Sequence, residues 1–289
     1  MKLGITQLLP TTFAEITIEN IRQVRDLGFA GTAFNVNDDP ATISTENARE
    51  FARKCQSEDV LIAEYGRYNT NFVNSAARDE SLHQVRETCR VAQAIDCPVV
   101  IVGIGSHNPA GNWFAHKDNF STASRGTLIP GLREAAAIAA DAGRILALEC
   151  HITTTLRDAA TARAVLGEIG VPTLKVHLDP VNWMTFETIL ESGPAIAGMY
   201  ASLGPQWISG AHSKGATLAD KLIVHMDEIY TGGPGDRIDH AAVLRGLAAL
   251  PGDLWLVIEH LAVADMPAAR ATVLAAAKAS GLSFTGIGA

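Results

Sequence analysis

Eight short apolar runs alternate with longer segments of helical spacing along the chain, and few folds accommodate that rhythm. The runs lie at 2–7, 28–35, 60–65, 98–104, 144–150, 174–179, 207–212 and 254–260, each rich in Val, Ile or Leu. Between them the spacing predicts helices over 16–27, 45–57, 79–95, 131–142, 157–169, 185–197, 239–249 and 266–280. Ile18, Ile21 and Val24 make one apolar stripe, and Leu82, Val85 and Cys89 another. Gly28, Gly143, Gly170 and Gly281 follow four of these helices, Asp239 and Asp265 stand at N-cap positions, and Pro267 falls in a first turn.

Repeated βα units imply a parallel sheet, and no Pro- or Ser-rich linker divides the chain. The expectation is therefore one α/β domain over 1–289, closed into a single (β/α)8 TIM barrel, for which 289 residues suffice. An open doubly wound sheet would carry a Gly-x-Gly-x-x-Gly turn after a strand. Here Gly103-Ile104-Gly105 runs on into Ser106, His107 and Asn108, with no third glycine in place. It leads into a polar loop, 105–120, bearing His107, Trp113 and His116, of the kind that folds over a barrel mouth.

Thirty-one acidic residues against 23 basic ones give a net charge of −8 with no basic stretch, which argues against nucleic acid or an anionic membrane as a partner. No run of 18 apolar residues spans a bilayer. Four cysteines without C-x-x-C spacing, and no recognisable secretory segment, lead us to expect reduced thiols and a cytoplasmic location. Nucleophile elbows, Walker loops and zinc-type cysteine sets are missing from the sequence, so hydrolytic-nucleophile, nucleotide and structural-zinc readings have no local support.

In a barrel of this kind catalytic groups gather at the C-terminal ends of the strands. Strand five ends in Leu148-Glu149-Cys150-His151, strand six in Leu178-Asp179-Pro180, strand seven in Ala211-His212-Ser213-Lys214, and strand eight in Ile258-Glu259-His260. Glu149, Asp179, His212 and Glu259 follow one another at 30, 33 and 47 residues, close to one βα repeat each. The side-chain period of two puts Glu149 on the face of Ile145 and Ala147, and Glu259 on that of Trp255 and Val257. Any one such acid has an even chance of being a helix cap or a strand partner, but three carboxylates converging without a cation would repel one another. Two Glu, one Asp and one neutral His suit a single divalent ion such as Mn²⁺, Mg²⁺, Co²⁺ or Zn²⁺.

Around this quartet, His151 shares the Glu149 face one step higher, Lys214 stands beside His212, Glu64 ends strand three and His107 follows strand four. All four are candidates to bind substrate, although a loop-cap role for His151 and a solvated role for Lys214 compete. His177 reads as a core histidine. Trp113, Phe114, Trp183 and Phe186 are candidates for an apolar wall, with packing the more common fate of such residues. His225 and Arg237 reach the site only if their loop folds inward.

Taken together, Glu149, the Asp179-Pro180 step, His212-x-Lys214, the Gly235-x-x-Ile238-Asp239 turn and the Ile258-Glu259 strand end resemble the xylose-isomerase-like TIM barrels. That family includes ketose 3-epimerases, hydroxypyruvate isomerases, inosose dehydratases and endonuclease IV. The resemblance covers nearly the whole chain. It implies that Glu149, Asp179, His212 and Glu259 bind one divalent metal and that, in an epimerase, Glu149 and Glu259 act as acid and base on the substrate. A cation chelated by a carbonyl and the neighbouring hydroxyl acidifies the C–H between them and stabilises the enediolate.

The chain departs from the sugar epimerases at Asn182, where they often carry a His, at Leu218, where they carry an Arg, and at Gly215, which replaces the acid of His-x-Lys-Asp. Asn182 is accordingly counted with the substrate-binding candidates. Endonuclease IV needs more histidines and a basic groove, which the charge balance opposes. The expected function is a metal-dependent sugar or keto-sugar isomerase or epimerase acting on a small carbohydrate, with a homo-oligomer compatible. Its rivals are a keto-sugar lyase, dehydratase, C-glycoside-cleaving enzyme or decarboxylase on the same site, and a non-catalytic sugar-binding barrel or complex subunit.

Overall fold

The computed structural model describes residues 1–286, so the last three residues of the expected domain lie outside the described ones. Eight parallel strands close into a barrel: β1 (Lys2–Ile5), β2 (Gly31–Phe34), β3 (Leu61–Arg67), β4 (Val99–Gly103), β5 (Ile145–Glu149), β6 (Leu174–Leu178), β7 (Ile208–Ser213) and β10 (Trp255–Ile258). The order around the wall is β1-β10-β7-β6-β5-β4-β3-β2, each strand beside its sequence neighbour in the ring. A short antiparallel hairpin, β8 (Gly215–Leu218) with β9 (Met226–Ile229), interrupts the series after β7. Parallel strands demand crossover connections, and helices supply them.

The helices are α1 (Ile18–Asp26), α2 (Thr45–Ser57), α3 (Arg78–Ala94), α4 (Thr122–Asp141), α5 (Ala159–Ile169), α6 (Ser192–Leu203), α7 (His240–Ala248) and α8 (Met266–Ala279). Their starts are chemically defined. Thr17 and Asn20 form a reciprocal capping box on α1, and Asp158 and Asp239 accept the backbone N–H groups of Thr161 and Ala242. Asp265 precedes α8 but makes no such bond, so that helix start relies on Pro267 in its first turn. Gly170 ends α5 with φ 72°, a left-handed geometry that a residue without Cβ adopts without strain.

Two helices depart from the sequence expectation, each at a proline. Expected from 131, α4 starts at Thr122, where Ser121 caps the Ser124 N–H, and continues through Pro130. The proline forfeits one backbone bond to residue 126, and the apolar face of Leu128, Ile129 and Leu132 holds the helix together across the gap. Expected over 185–197, α6 instead runs from Ser192 to Leu203 behind a 3₁₀ turn at Thr188–Glu191. Pro194 falls in its first turn, where a missing N–H costs nothing. The connection after β7, expected as a loop, is largely hairpin.

The main core fills the layer between barrel and helices. Two smaller clusters occupy the barrel interior: Val99, Ile101 and Ala147 on one side, and Ala30, Ala63, Trp255 and Val257 on the other. Register then sets the floor of the C-terminal mouth. Ala147 pairs with Lys175, His177 with Gly210, and Val257 with His212. One step further along each strand, Glu149 stands level with His177, Asp179 with His212 and Glu259 with Lys214, all on the inward face. Gly210 makes room for this layer, because a Cβ there would lie 2.7 Å from His177 Cε1.

Four cysteines, Cys55, Cys89, Cys97 and Cys150, are buried free thiols, and burial raises the pKa of each. Among the described residues no helix is long and apolar enough to cross a membrane.

Candidate metal centre and cavity

At the C-terminal mouth, Glu149, Asp179, His212 and Glu259 each offer a donor atom within 4.8 Å of all the others. All four are buried. His212 Nδ1 lies 3.3 Å from Glu259 Oε2 and 3.8 Å from Glu149 Oε2, and its other nitrogen, Nε2, donates to Glu64 Oε1 at 3.1 Å. With one ring proton committed to Glu64, Nδ1 faces the carboxylates, and a cation that displaced the second ring proton would meet its lone pair there, as a metal-ligating imidazole requires.

Charge without a cation is poorly balanced here. Burial, reinforced by the neighbouring Glu259 carboxylate, pushes the Glu149 carboxyl up to about 7. Burial opposes ionisation of Glu259 too, yet His212 and Lys214 outweigh it and hold that carboxyl below its usual range. His212 would be neutral on burial alone, but Glu259 and Glu64 keep a proton on the ring well above the usual imidazole value. Burying each ion costs several kcal/mol, and although Lys214 Nζ faces Asp179 Oδ2 and Glu259 Oε1, neither oxygen nor His212 Nδ1 makes a well-formed hydrogen bond. A divalent cation answers both difficulties, so the residues fit the group that the sequence implied.

Lys214 supports the cage from one side. Its buried Nζ lies 2.8 Å from Asp179 Oδ2 and 3.3 Å from Glu259 Oε1, and donates to Asn182 Oδ1 at 3.0 Å. Asn182 in turn donates to Glu149 Oε1 at 3.0 Å. Burial would favour neutral lysine, but Asp179, Glu259 and Glu228 together hold Lys214 firmly charged.

Beneath the cage, Glu64 sits between His212 and His177, with Oε2 3.4 Å from His177 Nε2. Burial and the adjacent His212 lower His177 to about 4, so it is the neutral member of the trio. Glu64 reaches this position through a β-bulge: register slips between Thr32 and Ala33 of β2, so that Ala63 and Glu64, successive on β3, both turn inward. It is buried beneath the cage and is not among the residues lining the cavity above. Replacing Glu64 by Gln is expected to weaken divalent-metal binding by about 10- to 100-fold while the fold persists, because the imidazole loses the carboxylate that sets its tautomer. Calorimetric titration against the wild type checks this, and equal affinities would remove Glu64 from that role.

Above the cage a cavity of about 460 Å³ opens. Glu149, Glu259, His151, Asn182 and Lys214 line it, as does Trp113, brought there by the 105–120 loop. That loop is fastened by Asn119, whose amide donates to Thr153 O at 2.8 Å, and by Thr153 Oγ1, which donates to Trp113 O at 2.7 Å. His151 is held by Thr153 Oγ1 at 2.7 Å, its ring nearly perpendicular to that of Trp113. His107 turns away to Ser124 Oγ at 2.7 Å and is not among the lining residues. Trp183 packs instead, donating to Leu156 O, while Phe114 and Phe186 are exposed outside the cavity. His225 pairs with Asp227 on the exposed hairpin, and Arg237 does not line the cavity.

Sequence reasoning missed several lining groups. Thr6, Gln7, Asn35 and Asn37 follow β1 and β2, strand ends that the search for charged ligands passed over. Glu228, from β9, gave no signal because only the hairpin brings it to the mouth. Gln7 and His260 both have positive φ, 60° and 56°, and both line the cavity, a placement typical of functional backbone.

Fold and cage together define a (β/α)8 barrel with a mixed carboxylate and imidazole centre at its catalytic end. The model of the xylose isomerase-like TIM barrel family matches residues 21–279, and the chain belongs to that family. No curated protein matches the sequence. Among solved structures, a xylose isomerase-like TIM barrel protein from Mycobacterium smegmatis in complex with magnesium is 16% identical, with a TM-score of 0.73 over 96% of this chain and 97% of that one. A D-psicose 3-epimerase crystallised with D-fructose is 15% identical, with a TM-score of 0.71 over 97% and 100%. A probable 3-DHS dehydratase from Bacillus anthracis is 17% identical, with a TM-score of 0.69 over 95% and 98%.

Proposed function

We propose that this chain is a divalent-metal-dependent isomerase or epimerase of a sugar or keto-sugar, with Glu149 and Glu259 moving the proton. The observation that carries the reading is the convergence of four donor side chains within 4.8 Å on the floor of a cavity whose walls include the neutral polar groups of Thr6, Gln7, Asn35 and Asn37. Glu149, Asp179, His212 and Glu259 would hold the ion, with Mn²⁺ our first candidate among the divalent metals that such oxygen and nitrogen donors accept. The ion would polarise a substrate carbonyl and its adjacent hydroxyl, making the C–H between them acidic.

The protein's own groups supply the rest. Glu149 and Glu259 stand on different strands and border the same cavity, so a carbon between them meets a carboxyl from each. Asn182 fixes one oxygen of Glu149, and Lys214 lies against one oxygen of Glu259, which holds both carboxyls in a set orientation. Gln7, Asn35 and Asn37 offer amides to hydroxyl groups, and Trp113 and Tyr68 give flat apolar surface that excludes water from one side.

The D-fructose of one structural neighbour and the magnesium of another support a carbohydrate and a divalent ion for this site. A second reading, elimination of water or a larger fragment from a keto-sugar, is favoured by one observation. Asn182, standing where sugar epimerases often carry His, is committed to Glu149 and Lys214. In D₂O, the metal-loaded protein is expected to place deuterium on the carbon beside the carbonyl of at least one ketose or 3-keto-sugar in a panel, with no fragment lost. Loss of water, carbon dioxide or an aglycone would establish the second reading, and neither outcome with metal bound would contradict both.

A further inference from the structure

We propose that Glu228, on the β8–β9 hairpin, is a specificity-determining residue that keeps anionic sugars, phosphorylated or carboxylated, out of the cavity. This rests on the sugar-binding reading of the cavity, and it concerns selection rather than chemistry. Of the groups lining the cavity, three can carry positive charge: Lys214, His260 and His151, the last of which is bonded to Thr153 Oγ1. Glu228 engages the first two: Oε2 lies 2.9 Å from Lys214 Nζ, and Oε1 lies 2.6 Å from His260 Nδ1. One carboxylate thus occupies two of the groups to which a phosphate or carboxylate substituent would turn.

The remaining walls offer such a substituent little else. Gln7, Asn35 and Asn37 are neutral, His151 is tied to Thr153 Oγ1, and Glu149, Glu259 and Glu228 are acids. An entering anion would have to displace Glu228 from Lys214 and His260 while facing it at close range, and juxtaposed like charges near a protein interior are strongly unfavourable. A neutral polyol meets no such opposition. Glu228 is delivered by a hairpin outside the barrel wall, and its side chain is 40% exposed, so its removal leaves the barrel core untouched. Selection of this kind works by an added repulsive element rather than by a better fit.

The test is inorganic phosphate binding, measured by calorimetry on the metal-loaded and the metal-free protein. Glu228→Gln is expected to tighten phosphate binding about tenfold or more relative to wild type in both forms, since the carboxylate that bridges Lys214 and His260 at the cavity wall is then gone. Glu228→Ala is the second variant and should do the same if the amide itself perturbs the hairpin. Asp227→Asn, one residue away, removes the same charge from a side chain that pairs with His225 on the exposed hairpin, and should leave phosphate binding unchanged. Equal phosphate affinity in wild type and both Glu228 variants, or an equal gain in Asp227→Asn, overturns the proposal. Failure of the metal reading shows separately, as an absence of bound ion, because the metal-free arm still reports on Glu228.

Discussion

His212→Ala is expected to lower divalent-metal affinity by more than about a hundredfold, beyond what loss of an outer-shell partner produces. The imidazole is the sole nitrogen donor of the cage, and its Nδ1 faces Glu149 and Glu259 with no hydrogen-bond partner. Glu259 and Glu64 hold a proton on that ring well above the usual value when no cation competes. A cation entering the cage therefore expels a proton. Affinity in the wild type should rise with pH, because fewer protons compete, and the rise should become shallower in His212→Ala, where one competing site is gone and Glu149 remains. Manganese titrations at two pH values check both points, and an affinity matching the wild type would exclude His212 from coordination.

The second large effect is expected at Glu259. Glu259→Gln should reduce solvent-deuterium exchange into the substrate by about 10²- to 10⁴-fold, the usual worth of a positioned base, while the metal stays bound. An amide oxygen can still face the ion, and Glu149, Asp179 and His212 remain, but the group can no longer accept a proton. Asp179 and Lys214 lie close enough to report collateral damage: if they stay in place, metal stoichiometry is unchanged while exchange is lost. Exchange at the wild-type rate would show that Glu259 is not the base. Loss of both exchange and metal would assign it to coordination alone.

The barrel was legible because each βα unit writes the same message twice, in an apolar run and in the punctuation that follows. Strand ends were therefore found within a few residues, and the ligand quartet with them, since Glu149, Asp179, His212 and Glu259 each stand within two residues of a strand terminus or at one. Strict alternation was the limit of that reading. It cannot reveal the bulge that turns Ala63 and Glu64 inward together, so Glu64 was expected at the mouth and lies beneath the cage. Both misplaced helices involve a proline. The span expected from 131 begins just past Pro130, through which the well-packed helix in fact runs, and the span expected over 185–197 encloses Pro194, which instead occupies a first turn.

Residues that enter the cavity from outside the barrel wall were the hardest to foresee. Glu228 lies on a four-residue strand with no apolar alternation to mark it, and its arrival beside Lys214 depends on how the hairpin closes. His107 and Trp113 share one polar loop, yet Trp113 lines the cavity and His107 bonds Ser124. Spacing along a loop carries no information about which side chain turns inward; the anchors at Asn119 and Thr153 decide it.

The central claim is that four side chains from successive strands hold one cation, and anomalous diffraction from crystals grown with Mn²⁺ tests it most directly. We expect a single strong peak within bonding distance of Glu149, Asp179, His212 and Glu259, lost in His212→Ala. A peak elsewhere, or none at saturating manganese, would contradict the account.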